Sequence, residues 1–270
     1  MTDSVTARNH SQPHAHSLCD ALNLNPAGEL VALVGGGGKT SLLFALAREL
    51  AAAGRRVVGA TTTRMASAEV TGAPSHCLLD DLEQLSVLLQ QHHFCVVVGG
   101  VGPEKAKNVP LALPGQLLAR PDVDYVLVEA DGAKMLPVKA PDDHEPAIPP
   151  DATLVLTVVG VDALDGPISR VAHRPHLVCT LTGRTPDQRL RPQDVALLLA
   201  HPDAGLKNAP SGARLIGFVN KVETKAQLAQ AQRIAALALQ SGRLERVLLG
   251  AAHHEHPVRR IVREPGSSGP

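Results

Sequence analysis

The sequence predicts a three-layer α/β/α fold built on a doubly wound, mostly parallel sheet of about seven strands. Short aliphatic runs alternate along the chain with longer segments whose apolar residues recur at helical spacing. Each aliphatic run is apolar throughout, which is typical of strands that are buried on both faces of a parallel sheet. With three Phe, one Tyr and no Trp in 270 residues, the core must consist mainly of Val, Leu, Ile and Ala.

One folded domain is expected over residues 21–262, because a chain with 44% hydrophobic residues can bury one large core. Residues 1–20 are polar and are interpreted as a disordered lead-in. Residues 263–270 are predicted to form a mobile tail.

The composition argues against several classes of protein. The 26 Lys and Arg residues balance 26 Asp and Glu residues, so no net charge attracts the chain to nucleic acid or to an anionic membrane. The four cysteines are dispersed and indicate neither a zinc ribbon nor a disulfide framework. No apolar run reaches the roughly eighteen residues of a membrane helix, and no signal-peptide pattern is present. We expect a cytoplasmic protein that binds neither nucleic acid nor membrane; the oligomeric state stays open.

The first predicted strand, 30–34, runs directly into a glycine turn and then into a helix. The turn and the helix start contain seven candidate phosphate-binding residues: Gly35, Gly36, Gly37, Gly38, Lys39, Thr40 and Ser41. Glycines let the backbone N–H groups curl around a polyphosphate at the positive end of a helix. Lys39 supplies charge for the terminal phosphates, Thr40 supplies a hydroxyl ligand for Mg²⁺, and Ser41 is a further phosphate contact.

The glycine turn resembles the Walker A motif of P-loop nucleotide-binding proteins. It departs from that motif at Leu33, which stands where the first glycine would be. The alternative is a flexible glycine hinge between a strand and a helix.

The remaining elements follow in alternation. The glycine-turn helix ends near Gly54, and strand 57–61 completes a right-handed βαβ unit. Further strands are predicted at 95–98, 125–128, 154–159, 215–219 and 247–249, and helices at 78–89, from Pro175 to Gly183, from Pro192, and after the capping residue Thr224. The proline-rich segment, 137–150, holds five prolines and is predicted to be a long ordered loop or a lid.

Two acids follow strand 125–128, and the alternation of side chains along a strand turns both to the same side. Asp131 is predicted to be the Walker B carboxylate, which holds Mg²⁺ through water opposite Thr40. Glu129 is predicted to orient or deprotonate the attacking nucleophile. With Lys39 these acids are the candidate catalytic residues; the alternative is an acidic turn with no metal.

Hydroxyl and cationic side chains are expected at the same rim of the sheet. Thr62, Thr63 and Arg64 close the strand that follows the glycine-turn helix, and they either contact phosphate or serve as ordinary strand residues. Lys134 and Lys139 follow Asp131, and they either neutralise an anion or lie in solvent.

Asn220, Lys221 and Glu223 follow strand 215–219 and resemble the NKxD base-binding motif of P-loop GTPases. Glu replaces Asp here, and its extra methylene displaces the carboxylate, so guanine recognition is one of two interpretations. The other is a helix start at which Glu223 lies near the positive end of the dipole. The expected cofactor is therefore Mg²⁺ with either ATP or GTP.

Four motifs together resemble the YqeC family: 34–40, 61–65, 128–134 and 143–146. The resemblance extends from about residue 28 to residue 249, and that family's glycine turn also lacks the first Walker A glycine. It implies a nucleotide-dependent accessory step in the maturation of selenium-dependent molybdenum hydroxylases, with the hydroxylase or its cofactor as partner.

Three functions remain open on the sequence. The first is a Mg²⁺-dependent P-loop protein that hydrolyses its nucleotide slowly and assists hydroxylase maturation. The second is a kinase for a small molecule bound under the proline-rich segment. The third is a cofactor-binding protein in which the nucleotide is not hydrolysed.

Overall fold

The computed structural model describes residues 16–264. Its strands are β1 (Glu29–Gly35), β2 (Val57–Thr61), β3 (Met65–Ala66), β4 (His76–Leu78), β5 (Phe94–Val98), β6 (Gly100–Val101), β7 (Lys105–Lys107), β8 (Tyr125–Glu129), β9 (Val138–Lys139), β10 (Leu154–Gly160), β11 (Ala172–His173), β12 (Arg214–Asn220), β13 (Arg246–Gly250) and β14 (Val258–Val262). Its helices are α1 (Leu18–Leu22), α2 (Lys39–Ala52), α3 (Ser67–Thr71), α4 (Leu85–His92), α5 (Leu113–Leu118), α6 (Ile168–Val171), α7 (Pro175–Thr182), α8 (Pro192–Ala200) and α9 (Lys225–Leu239).

A nine-stranded sheet forms the middle layer, in the order β14-β13-β12-β10-β1-β8-β2-β5-β4. Every neighbouring pair is parallel except β13 with β14. This confirms the predicted α/β fold with a mostly parallel sheet. The two strands of this sheet that were not predicted, β4 and β14, lie at its edges. They lack a long aliphatic run because an edge strand does not need to be apolar on both faces.

The central strand β1 is buried on both faces of the sheet. Val31 and Leu33 belong to the apolar cluster under α2, whereas Leu30, Ala32 and Val34 belong to the opposite cluster, which includes α5. A further apolar cluster joins β12 and β13 to α8 and α9. Residues 30–34 of β1 are all apolar, and the glycine turn follows them at the carboxyl end of the sheet's central strand.

Most helix boundaries agree with the sequence signals. Helix α7 begins at Pro175 and is followed by Gly183 in the left-handed conformation. Helix α9 is capped by Thr224, whose hydroxyl accepts the N–H of Gln227. The helix predicted over 78–89 is wrong in its first half, because β4 ends at Leu78 and a 3₁₀ turn precedes α4. No helix of the described residues is long and apolar enough to cross a membrane.

The predicted lead-in extends too far into the folded chain. Helix α1 begins at Leu18, and its first N–H groups, those of Leu18 and Cys19, donate to the Glu49 carboxylate over 2.8 Å each. This capping carboxylate comes from α2, about thirty residues away in sequence, so no local signal reveals it. Residues 1–15 and 265–270 lie outside the described residues. That residues 21–262 form one domain stays a prediction.

Candidate functional site

The glycine turn joins β1 to α2 in a backbone path that requires glycine. Gly35, Gly37 and Gly38 have φ angles of 96°, 75° and 107°, in the left-handed region. At Gly36 a Cβ atom would lie 2.8 Å from the carbonyl oxygen of Leu136, so the backbone of another segment packs directly against it. Gly35, Gly36 and Gly37 are thus enclosed by the backbone of other segments and Gly38 by the Asn220 side chain, which argues against a flexible hinge.

The N–H groups of the first three glycines donate to acceptors within the protein. Gly35 donates to both carboxylate oxygens of Asp131 (3.1 Å each), Gly36 to the carbonyl of Val158 (2.9 Å), and Gly37 to the carbonyl of Leu136 (2.9 Å). That these N–H groups curl around a polyphosphate stays a prediction. The turn is confined between β10 and the approach to the proline-rich segment. The N–H groups of the first turn of α2 are the ones that the helix itself cannot satisfy.

Lys39 is almost fully buried, with 4% of its surface exposed. Its ammonium donates to the carbonyl of Gly35 over 2.7 Å and lies 3.2 Å from Asp131 and 3.8 Å from Glu129. Burial disfavours the charged form, but Asp131 and Glu129 outweigh it, so the pKa of Lys39 is raised above its usual value. Lys39 is therefore a fixed positive charge at the glycine turn.

Glu129, rather than Asp131, faces the Thr40 hydroxyl. The hydroxyl donates to the Glu129 carboxylate over 2.7 Å. Glu129 is the last residue of β8 and lies beside Leu33, whereas Asp131 lies beyond the strand and reaches Gly35. That Asp131 is the Walker B carboxylate stays a prediction. Burial raises the pKa of the Glu129 carboxyl, against the opposing effect of Lys39.

Lys139 is a site residue to which the sequence assigned no definite role. It is buried in β9, and its ammonium lies 3.1 Å from the second carboxylate oxygen of Asp131. It also donates to the carbonyl of Gly132 over 2.8 Å. By contrast, Lys134 is exposed. The sequence did not distinguish Lys134 from Lys139, but the structure does, because only Lys139 is buried.

A third acid and a third cation, Glu145 and Arg174, extend this cluster away from the glycine turn. Glu145 of the proline-rich segment pairs with Lys139 and with Arg174, whose guanidinium lies 2.6 Å from it. Burial opposes ionisation of Glu145, but Arg174 and Lys139 outweigh it and lower its pKa to about 2. Arg174 lies within the span of the family resemblance, but no role was predicted for it from the sequence. The result is a row of alternating charges from Lys39 to Arg174.

Thr62 and Thr63, which follow β2, form hydrogen bonds with other groups of the protein. The Thr62 hydroxyl donates to the carbonyl of Ala147 over 2.7 Å, so it holds the proline-rich segment. The N–H of Thr63 donates to the Thr61 hydroxyl over 3.2 Å. Arg64 and Ser41 are exposed. Contact of Thr62, Thr63 or Ser41 with phosphate stays a prediction.

Asn220 links the ends of three strands. Its side-chain amide donates to the carbonyl of Gly37 over 2.7 Å, and its oxygen accepts the N–H of Ala252 over 2.9 Å. Asn220 is 3% exposed. The structure thus brings Asn220 to the glycine turn, where its amide fixes the turn against the loop after β13.

The other two residues of the predicted base-binding motif face outward. Lys221 pairs with Asp162 over 2.7 Å, and Glu223 lies 3.6 Å from the His253 imidazole. The side chains of Glu223 and His253 are 49% and 61% exposed. Guanine recognition by Lys221 and Glu223 stays a prediction.

The donor set at Thr40 and Glu129 fits Mg²⁺ that arrives with a nucleotide. Mg²⁺ is usually held by one or two carboxylates together with phosphate oxygens and water, and these residues offer one carboxylate and one hydroxyl. Among the described residues, no group of three or more His, Cys, Asp or Glu side chains is arranged to hold a metal ion alone. The cavity beside the turn measures about 10 Å³, far below the roughly 300–1,000 Å³ of ligand pockets.

Two solved structures align with most of this chain, at low TM-scores and low sequence identity. A chloroplast FtsY structure from Physcomitrella patens aligns with a TM-score of 0.40 and 16% identity, over 94% of this chain and 66% of that chain. An FtsY structure from Mycoplasma mycoides aligns with a TM-score of 0.32 and 10% identity, over 90% and 67%. This chain spans just under two thirds of the first of these structures.

The sequence comparisons are stronger. "Uncharacterized protein YqeC" of Escherichia coli K12 is 36% identical over 236 residues, which are 86% of this chain and 91% of that protein. The family model described as "YqeC protein" matches residues 31–176, more than half of the chain. The chain therefore belongs to the YqeC family.

Proposed function

We propose that this protein binds a nucleoside triphosphate with Mg²⁺ at the glycine turn and hydrolyses it slowly. The observation that supports this most directly is the meeting of Lys39, Thr40 and Glu129 at the start of α2. A positive charge, a hydroxyl and a carboxylate at a helix N-terminus are the groups that a magnesium-bound polyphosphate needs.

Each residue then has a distinct role. Lys39 and the N–H groups of the first turn of α2 bind the phosphates and stabilise the charge that develops during phosphoryl transfer. Thr40 and Glu129 would hold Mg²⁺, which neutralises phosphate charge. Asp131, which was predicted to be the metal ligand, instead orients Lys39 by accepting from it and from Gly35.

Nucleotide binding requires the turn to open. The cavity, about 10 Å³, is too small for a nucleoside triphosphate, and the Leu136 carbonyl accepts the Gly37 N–H. We therefore propose that the backbone at Leu136 and Pro137 moves away from the glycine turn when the phosphates enter, while Asp131, Gly132 and Lys139 stay in place.

We further propose that the bound nucleotide drives an accessory step in the maturation of a selenium-dependent molybdenum hydroxylase, with the hydroxylase or its cofactor as partner. This part rests on the family resemblance. It is tested by whether the purified protein with nucleotide raises the activity of an immature hydroxylase of that kind.

The nucleotide site is tested by thermal unfolding with MgATP or MgGTP, comparing the parent with Lys39→Ala. A ligand at 100 times its Kd stabilises the folded state by about 2.7 kcal/mol, and Lys39→Ala should lose this stabilisation. Arg48→Ala is the matched control, because Arg48 is an exposed cation on the same helix. Circular dichroism checks that each variant folds. Equal stabilisation of the parent and Lys39→Ala would refute the site.

A further inference from the structure

We propose that Lys139 is a second phosphate-binding cation, which the proline-rich segment supplies to the terminal phosphate of the nucleotide. This inference rests on the proposed nucleotide site. It adds a residue that lies outside the glycine-turn motif and one hundred positions along the chain from Lys39.

The first argument is the placement of the two ammonium groups. Lys39 lies 3.2 Å from one carboxylate oxygen of Asp131, and Lys139 lies 3.1 Å from the other. The two lysines thus approach one anionic group from different elements, α2 and β9. A phosphate group offers the same kind of paired oxygens to two ammonium groups.

The second argument is the balance of charge. Lys39, Lys139 and Arg174 carry three positive charges, against the carboxylates of Asp131 and Glu145, and Mg²⁺ would offset Glu129. Asp142, 3.4 Å from Arg174, is half exposed, so the buried part of the row keeps one positive charge in excess. A terminal phosphate carries more negative charge than a carboxylate, and it would meet both ammonium groups where little water screens them.

The third argument is that Lys139 is held in place. Its side chain is 1% exposed, and it donates to the carbonyl of Gly132 over 2.8 Å. Its backbone pairs with His173 in the short ladder of β9 and β11. Lys139 also lines the same cavity as Gly35 and Gly36. Burying an ammonium group is costly without anionic partners, and this one is fixed beside the glycine turn.

The experiment compares Lys139→Gln with Lys134→Gln by calorimetric titration of Mg²⁺ with a nucleoside triphosphate and with the corresponding diphosphate. Lys134 is an exposed lysine of the same stretch and serves as the matched control. Lys139→Gln should weaken triphosphate binding roughly 10- to 100-fold, as expected for a charge-assisted hydrogen bond, and diphosphate binding much less. Lys134→Gln should bind both as the parent does.

A purely structural role for Lys139 would weaken both nucleotides equally, so an unchanged ratio of the two affinities overturns the proposal. Lys139→Arg keeps a cation, and it should keep most of the preference for triphosphate even if Lys139→Gln folds poorly. If the parent binds neither nucleotide, the nucleotide site itself is wrong. If the parent binds and Lys39→Ala does not, while Lys139→Gln keeps the parent's ratio, only the role of Lys139 is wrong.

Discussion

The two ends of the candidate site differ in burial. The phosphate end, defined by Lys39, Glu129, Asp131 and Lys139, has side chains that are 1–9% exposed. The base end, defined by Lys221, Glu223 and His253, has side chains that are 36–61% exposed. Charges in the first group act through a low dielectric, whereas those in the second are screened by water. The protein should therefore select for phosphate strongly and for the base weakly.

Asn220 connects the two ends, and its removal should have the largest effect on stability. Asn220→Ala leaves the buried carbonyl of Gly37 and the buried N–H of Ala252 without their partner. We expect a loss of about 2–4 kcal/mol in the free energy of unfolding, measured in urea. Lys221→Ala, at the next position, removes only a partly exposed ion pair and should cost less than about 1 kcal/mol. Similar losses for the two variants would contradict the role of Asn220 as the link.

A substitution of Glu145 tests the ion pairs with Lys139 and Arg174 that extend from the phosphate end. Its depressed pKa means that its contribution is complete above its ordinary value of 4.5 and is lost as the pH falls toward about 2. Glu145→Gln should lower the free energy of unfolding at pH 7 by on the order of 2 kcal/mol, and the difference from the parent should shrink toward pH 2. Asp143→Asn, an exposed acid in the same segment, is the control. A difference that does not vary with pH would exclude this charge effect.

Glu223 should show the smallest effect. Because it is half exposed, Glu223→Gln should change stability by less than about 0.5 kcal/mol and the ratio of GTP to ATP affinity by less than about two-fold. Calorimetry with each nucleotide and Mg²⁺ measures that ratio. A ten-fold loss of GTP affinity alone would show instead that the base end recognises guanine.

Much of the fold could be predicted because the central strands are uniformly apolar. The burial of strands such as β1 and β10 can be predicted from their own sequences, which consist almost entirely of apolar residues. Edge strand β14 includes Arg259 and Arg260, and it pairs only because β13 lies beside it. The capping of α1 by Glu49 is likewise a tertiary contact.

The sequence predicted which residues form the candidate site better than it predicted which of them contact one another. Lys39, Thr40, Glu129 and Asp131 do meet at one rim, as expected of residues at the ends of parallel strands. Which acid reaches Thr40 depends on where β8 ends. Glu129 is the last residue of β8, and Asp131 lies two residues beyond it.

By itself the sequence determined the layered fold, the position of the glycine turn and the family. The first two depend on local patterns of apolar residues and glycines, and the family depends on short motifs along the chain. The tertiary structure alone decided that Glu129 faces Thr40, that the glycine N–H groups are held by protein acceptors, and that Lys139 joins Lys39 at Asp131. Those outcomes depend on the register and burial of segments far apart in sequence. Burial also fixes which of two similar lysines carries a charge that water does not screen.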